Sequence, residues 1–236
     1  MGRFFNLDSP LMASLSRVAD LMILNVIILV LCLPVITIAP ALTAMHYVLL
    51  KMVRKEESYI IAPFFKSFKE NFRQATIIGL IIIVLVIIFI IDLQIVNNSE
   101  LGIASWLRIA LLACGLIGTM TLMYIFPILA RFKNTIRGTF KNALFMSIIN
   151  LPRTILMIAS CLLPLVVIFF NTGMYPLVFL LGITGPGYLC AIVYSKTFKR
   201  FEPEEIPIDA DSWTVDMGDD IEKNDEGSEQ GRDYEG

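Results

Sequence analysis

The stretch "PFFKSFKENFRQATIIGLIIIVLVIIFII", residues 63–91, decides where this chain lives. Its first half sets four phenylalanines among three basic residues, and its second half, from Thr76 onward, is uncharged hydrocarbon. A helix crossing the apolar core of a bilayer needs roughly 20 apolar residues. Residues 76–96 meet that length, and no water-soluble core has a use for so continuous a greasy run.

Outward from this run, residues 109–130, 154–170 and 174–194 qualify by the same measure. Residues 21–38 qualify despite Asn25 and Pro34, because neighbouring helices re-satisfy backbone groups that a proline frees. Five spans are the minimum, in a chain of 236 residues of which 56% are hydrophobic. The segment "ALTAMHYVLLKMVR", residues 41–54, is ambiguous, being too short to cross if it begins at Pro40 after a break near Thr37. It either prolongs the first span as a bent helix or returns as a sixth crossing. The fold class expected is all-α, a polytopic transmembrane bundle of five to six spans.

Charge sets the expected orientation. Residues 39–75 carry Lys51, Arg54, Lys55, Lys66, Lys69 and Arg73, and residues 131–153 carry Arg131, Lys133, Arg137, Lys141 and Arg153. The connections near residues 92–108 and 171–173 hold almost no basic residues. Basic loops stay in the cytoplasm, so both rich loops and the C-terminus are expected there, and Arg3 with Arg17 favours the N-terminus there too. Residues 1–201 form the expected membrane domain, with a net charge of +10. Residues 202–236 carry −12 and read as a disordered acidic cytoplasmic tail, attracted weakly to the basic face. No cleaved signal peptide is expected at the N-terminus.

On a helix at about 100° per residue, Phe64, Phe65, Phe68, Phe72 and Ala75 share one face, with Lys66, Lys69 and Arg73 in a stripe beside it. That pattern suits an interfacial amphipathic helix, its rings at the acyl boundary and its cations against anionic lipid or a protein partner. "FKENFRQA", residues 68–75, is echoed by "IRGTFKNA", residues 136–143, which adds Arg137 and Lys141 to the candidate docking residues. If the echo is a repeat, the chain has two related halves.

Chemistry is sparse. His46 is the sole histidine, read as a hydrogen-bonded packing residue; no nucleophile-elbow, phosphate-loop or dinucleotide pattern occurs. Cys32, Cys114, Cys161 and Cys190 are far apart and read as small buried hydrophobes. Asn25, Thr37, Thr119 and Thr121 are polar groups within spans, whose default use is hydrogen bonding between helices. "GITGPG", residues 182–187, reads as a flexible or tightly packed point in the last span. No catalytic residue, cofactor, metal or nucleic-acid partner is expected, and an enzyme is disfavoured.

Three segments, "RVADLMILNVIILVLCLPVITIAPALTAMHYVLLKMVRKEESYI" (17–60), "FFKSFKENFRQATIIGLI" (64–81) and "FPILARFKNTIRGTFKNALFMSIINLPRTI" (126–155), together resemble the YesL-like family of bacterial integral membrane proteins. The family often has Gly where this chain has Ala39. The resemblance implies a bacterial cell-membrane protein without established molecular activity, encoded near carbohydrate uptake and degradation genes. It therefore implies an accessory or permease-like part in carbohydrate transport, beside a transporter subunit; a membrane-embedded sensor signalling through its loops and tail is the alternative. The segment "RGTFKNALFMSIINLP" carries part of an importer permease's ATPase-coupling pattern, but its spacing is one residue too long and the E-A-A element is missing.

Overall fold

The computed structural model describes residues 10–56, 59–98 and 104–198. The acidic segment 202–236 lies outside the described residues. Among the described residues eight α-helices account for nearly all of the structure: α1 (Pro10–Leu31), α2 (Val35–Arg54), α3 (Ile61–Asn98), α4 (Ala104–Arg131), α5 (Ile136–Ile149), α6 (Leu151–Phe170), α7 (Tyr175–Leu181) and α8 (Thr184–Phe198). A single 3-10 turn, Thr172–Met174, joins α6 to α7. Five of the helices are long and apolar enough to cross a membrane, and the pair α7 and α8, bent by 49° at its break, makes a sixth candidate.

The ambiguous short leg is resolved by where its helix starts. Pro34, in extended conformation, occupies the N-cap of α2, and Thr37 Oγ1 donates to the Pro34 carbonyl at 2.7 Å and also to the Leu31 carbonyl. Pro40 therefore lies inside α2 instead of opening it, which corrects the sequence expectation. The helix gains six residues and reaches 20, about 30 Å at ~1.5 Å per residue. It ends in a Schellman turn: Lys55 takes the left-handed conformation at φ 58°, with Glu56 N donating to Lys51 O (3.1 Å) and Lys55 N to Met52 O (3.3 Å).

α3 is continuous through the opening stretch, so the aromatic and basic segment is the first part of the spanning helix and not a separate element. Its 38 residues extend about 57 Å, nearly twice the ~30 Å hydrocarbon core. α3 is therefore longer than one crossing requires. α2 packs against it in antiparallel fashion, with Ala39 facing Gly79. A Cβ at Gly79 would come within 2.5 Å of the Ala39 Cβ, so only hydrogen fits there.

The basic residues mark one end of the bundle: Lys51 and Arg54 close α2, Arg131 closes α4, Lys196 closes α8, and Arg153 opens α6. The core lies toward this end. Its largest fully buried side chains include Phe64, Tyr124, Tyr194 and Phe198, with ring centroids of Tyr194 and Phe198 5.2 Å apart and of Phe132 and Phe198 5.3 Å apart. The residue range expected to be a basic loop, 131–153, contains α5, capped at its start by Thr135, whose Oγ1 accepts from Gly138 N at 3.2 Å. The opposite halves of α3, α4 and α6 expose Ile83 to Ile91, Trp106 to Leu116, and Leu162 to Phe170, large apolar side chains suited to lipid.

The last span is broken at Gly182 and Ile183, and Asn25 on α1 holds the break. Its Nδ2 donates to Phe179 O at 2.8 Å, and its Oδ1 accepts from Ile183 N (3.3 Å) and Thr184 N (3.2 Å). Thr184 Oγ1 donates to Leu21 O at 3.0 Å. Asn25 thus does the interhelical work expected of it. Thr119 and Thr121 do not: each donates to a carbonyl of its own helix, Gly115 O and Ile117 O, a bond that joins no two helices.

Candidate functional site

The candidate docking residues divide by which side of α3 they occupy. Phe64 is fully buried and Phe68 half-buried, both turned into the core, with their rings stacked at 6.3 Å. Phe64 is thus a packing residue, unavailable to lipid or partner, although it lies on the arc that the sequence pattern assigns to the membrane surface. Phe65 and Phe72 remain exposed, together with Lys66, Lys69 and Arg73. Phe68 and Phe72 meet edge to face at 5.4 Å, linking the buried and exposed rings.

The two echoed segments occupy one end of the bundle. Gln74 Nε2 on α3 donates to Asn134 O, just before α5, at 2.6 Å. Ala75 and Ala143, the matched alanines, are both fully buried, and Arg137 and Lys141 are exposed as Lys69 and Arg73 are. Beside this strip a groove of about 300 Å³ runs between the end of α2 and the start of α3, lined by Tyr47, Lys51, Tyr59 and Lys66 among others. Lys51 Nζ stands 4.9 Å from the centre of the Tyr47 ring, a cation–π contact at the groove wall.

Sequence reasoning did not reveal a further concavity, because five segments build it. It measures about 740 Å³, within the range of small-molecule sites, and is lined by α2, α3, α4, α6 and the α7–α8 break. Its walls are apolar: Leu42, Ile82, Leu122 and Phe126 are typical, and His46, Thr76, Cys161 and Cys190 supply the polar side-chain atoms. Tyr194 OH donates to His46 O at 3.3 Å and lies 3.2 Å from Nδ1 of the same residue, so His46 is held as a packing residue. Thr76 Oγ1 is buried with no hydrogen-bond partner among the described residues. Gly187 allows close packing between α8 and α2, where a Cβ would meet Leu49 at 2.9 Å. On each wall helix a lining residue (His46, Thr76, Phe126, Met157 or Cys190) stands within six residues of a basic one, about 9 Å along a helix.

Two of the four cysteines differ from the reading as buried hydrophobes. Cys114 and Cys161 are exposed and Cys190 is buried, and the last two, 29 residues apart, have their Sγ atoms 4.0 Å apart. Among the described residues no group of three His, Cys, Asp or Glu side chains converges.

Spanning helices, an apolar outer surface and a basic end define a polytopic helical membrane protein. Residues 21–93, which hold most of α1 to α3, match the family described as a protein of unknown function, DUF624. The chain is similar to the uncharacterized protein YesL of Bacillus subtilis (strain 168), 25% identical over 186 residues that cover 78% of this chain and 85% of YesL. It is also similar to the uncharacterized protein YteU of the same organism, 26% identical over 145 residues, 61% of this chain and 65% of YteU, a little under two thirds of that protein. No solved structure matches it.

Proposed function

We propose that this chain is a non-enzymatic accessory component of a bacterial membrane transport system, which engages a protein partner at its basic, cytoplasmic end. The observation that carries this reading is the exposed strip of Phe65, Lys66, Lys69, Phe72 and Arg73 on α3, held next to the α5 segment bearing Arg137 and Lys141 by the Gln74–Asn134 bond. Exposed aromatic side chains and arginine are enriched at protein interfaces, and the lysines beside them add a positive field that steers an acidic partner. The family resemblance supplies the link to carbohydrate uptake, as an implication.

Between an accessory part and a permease, the cavity favours the former. A sugar presents hydroxyls on every side, and a site for it must answer them with hydrogen-bond partners. A wall of Leu, Ile, Met and Phe with few polar atoms does not. A sensor acting through residues 202–236 is the alternative, and it concerns residues outside those described.

The test reverses the strip, with Lys66, Lys69, Arg73, Arg137 and Lys141 each replaced by Glu. Capture from native membranes is expected to lose the transporter subunit that the native chain retains, with the variant still folded in detergent. Retention of the same subunits by the variant would refute the reading.

A further inference from the structure

Three sulfur atoms from three helices meet in the cavity wall. Cys161 Sγ on α6 lies 4.0 Å from Cys190 Sγ on α8 and 3.9 Å from Met123 Sδ on α4, and all three residues line the cavity. We propose that Met123, Cys161 and Cys190 form a binding site for a soft monovalent cation of the Cu(I) type.

Donor type, spacing and charge each point the same way. Thiolate and thioether sulfurs are soft ligands, which select Cu(I) over the oxygen-seeking ions. Sulfurs bound trigonally to one ion at ~2.3 Å stand about 4.0 Å apart, the separation of Cys161 Sγ from each of the other two sulfurs. Zinc is served less well, since it takes four nitrogen, oxygen or thiolate ligands; the described residues offer no such group, and the third donor here is a thioether. No carboxylate lines the cavity. A monovalent ion with a single thiolate is neutral overall, which an apolar wall tolerates better than a net charge. Binding releases one thiol proton to the medium for each ion taken up, and no electron moves.

The two thiols differ in burial: Cys161 is exposed and Cys190 is buried, and both line the cavity. Cys190 is buried and its Sγ donates to Met157 O at 3.6 Å, which fixes the thiol toward its partner. The same pair could instead close as a disulfide under an oxidant, and the test separates the two.

The full chain in detergent, with thiols reduced, is titrated with Cu(I) held by a competing colorimetric chelator. One ion per chain is expected, and X-ray absorption should show a sulfur-only shell. Cys161→Ser and Cys190→Ser should each weaken binding by roughly 100-fold and Met123→Leu by roughly tenfold. Cys32→Ser and Cys114→Ser should leave it unchanged. Equal binding by the native chain and the Cys161→Ser, Cys190→Ser double variant would overturn the proposal, as would a nitrogen or oxygen shell. A Cys161–Cys190 disulfide in chain freshly isolated from native membranes would also overturn it. Should the cysteine variants fail to fold, Met123→Leu, close in volume to the native side chain, decides: unchanged affinity overturns the proposal.

Discussion

Replacing Asn25 by Leu removes three hydrogen bonds at once, all directed at backbone where α7 breaks into α8. Interhelical hydrogen bonds in membrane proteins average about 0.6 kcal/mol each, so three give a floor of about 2 kcal/mol. The substitution also leaves the amides of Ile183 and Thr184 without this partner in apolar surroundings, where an orphaned group costs about 1–3 kcal/mol. Full loss at both sites is prevented by local winding of the helix, and the expected destabilisation is about 2–4 kcal/mol. The assay is reversible unfolding in mixed micelles, followed by helix content, with hydrogen exchange at residues 183 and 184 as a local readout. Thr184→Val, which loses the single bond to Leu21 O, should cost less than Asn25→Leu. A change below about 0.5 kcal/mol for Asn25→Leu, the range of unremarkable substitutions, would refute the claim that α1 holds the break.

Other substitutions separate packing from surface. Gly79→Leu forces α2 away from α3 at Ala39 and should destabilise the chain more than Gly118→Leu, whose Cβ meets nothing, in the same unfolding assay. Phe64→Ala empties a fully buried site and should cost about 3–5 kcal/mol, while Phe65→Ala, on the exposed side, should cost little. Lys55→Gly relieves the left-handed residue that ends α2 and should stabilise the chain by about 0.5–1 kcal/mol, read as a raised unfolding midpoint. Labelling Lys66 and Lys141 with a membrane-impermeant amine reagent should succeed in inside-out vesicles and fail in intact cells; the reverse would invert the proposed orientation.

The spanning runs and the concentration of basic residues around residues 51–73 and 131–153 were legible in the chain alone, because lipid imposes a length and an apolarity that composition displays without reference to partners. The same holds for Asn25, conspicuous as a polar group in hydrocarbon. Pro40 misled because a proline within the first two turns of a helix looks like one that starts it, and Pro34 took that role instead. Phe64 misled for another reason: a helical face that is apolar and aromatic is the same pattern whether lipid or protein covers it, and only the packing of the core chose between them. The meeting of Met123, Cys161 and Cys190, and the cavity they line, depend on how five helical segments are set side by side. That arrangement follows from close contacts such as Ala39 with Gly79, which no periodicity along a single segment records.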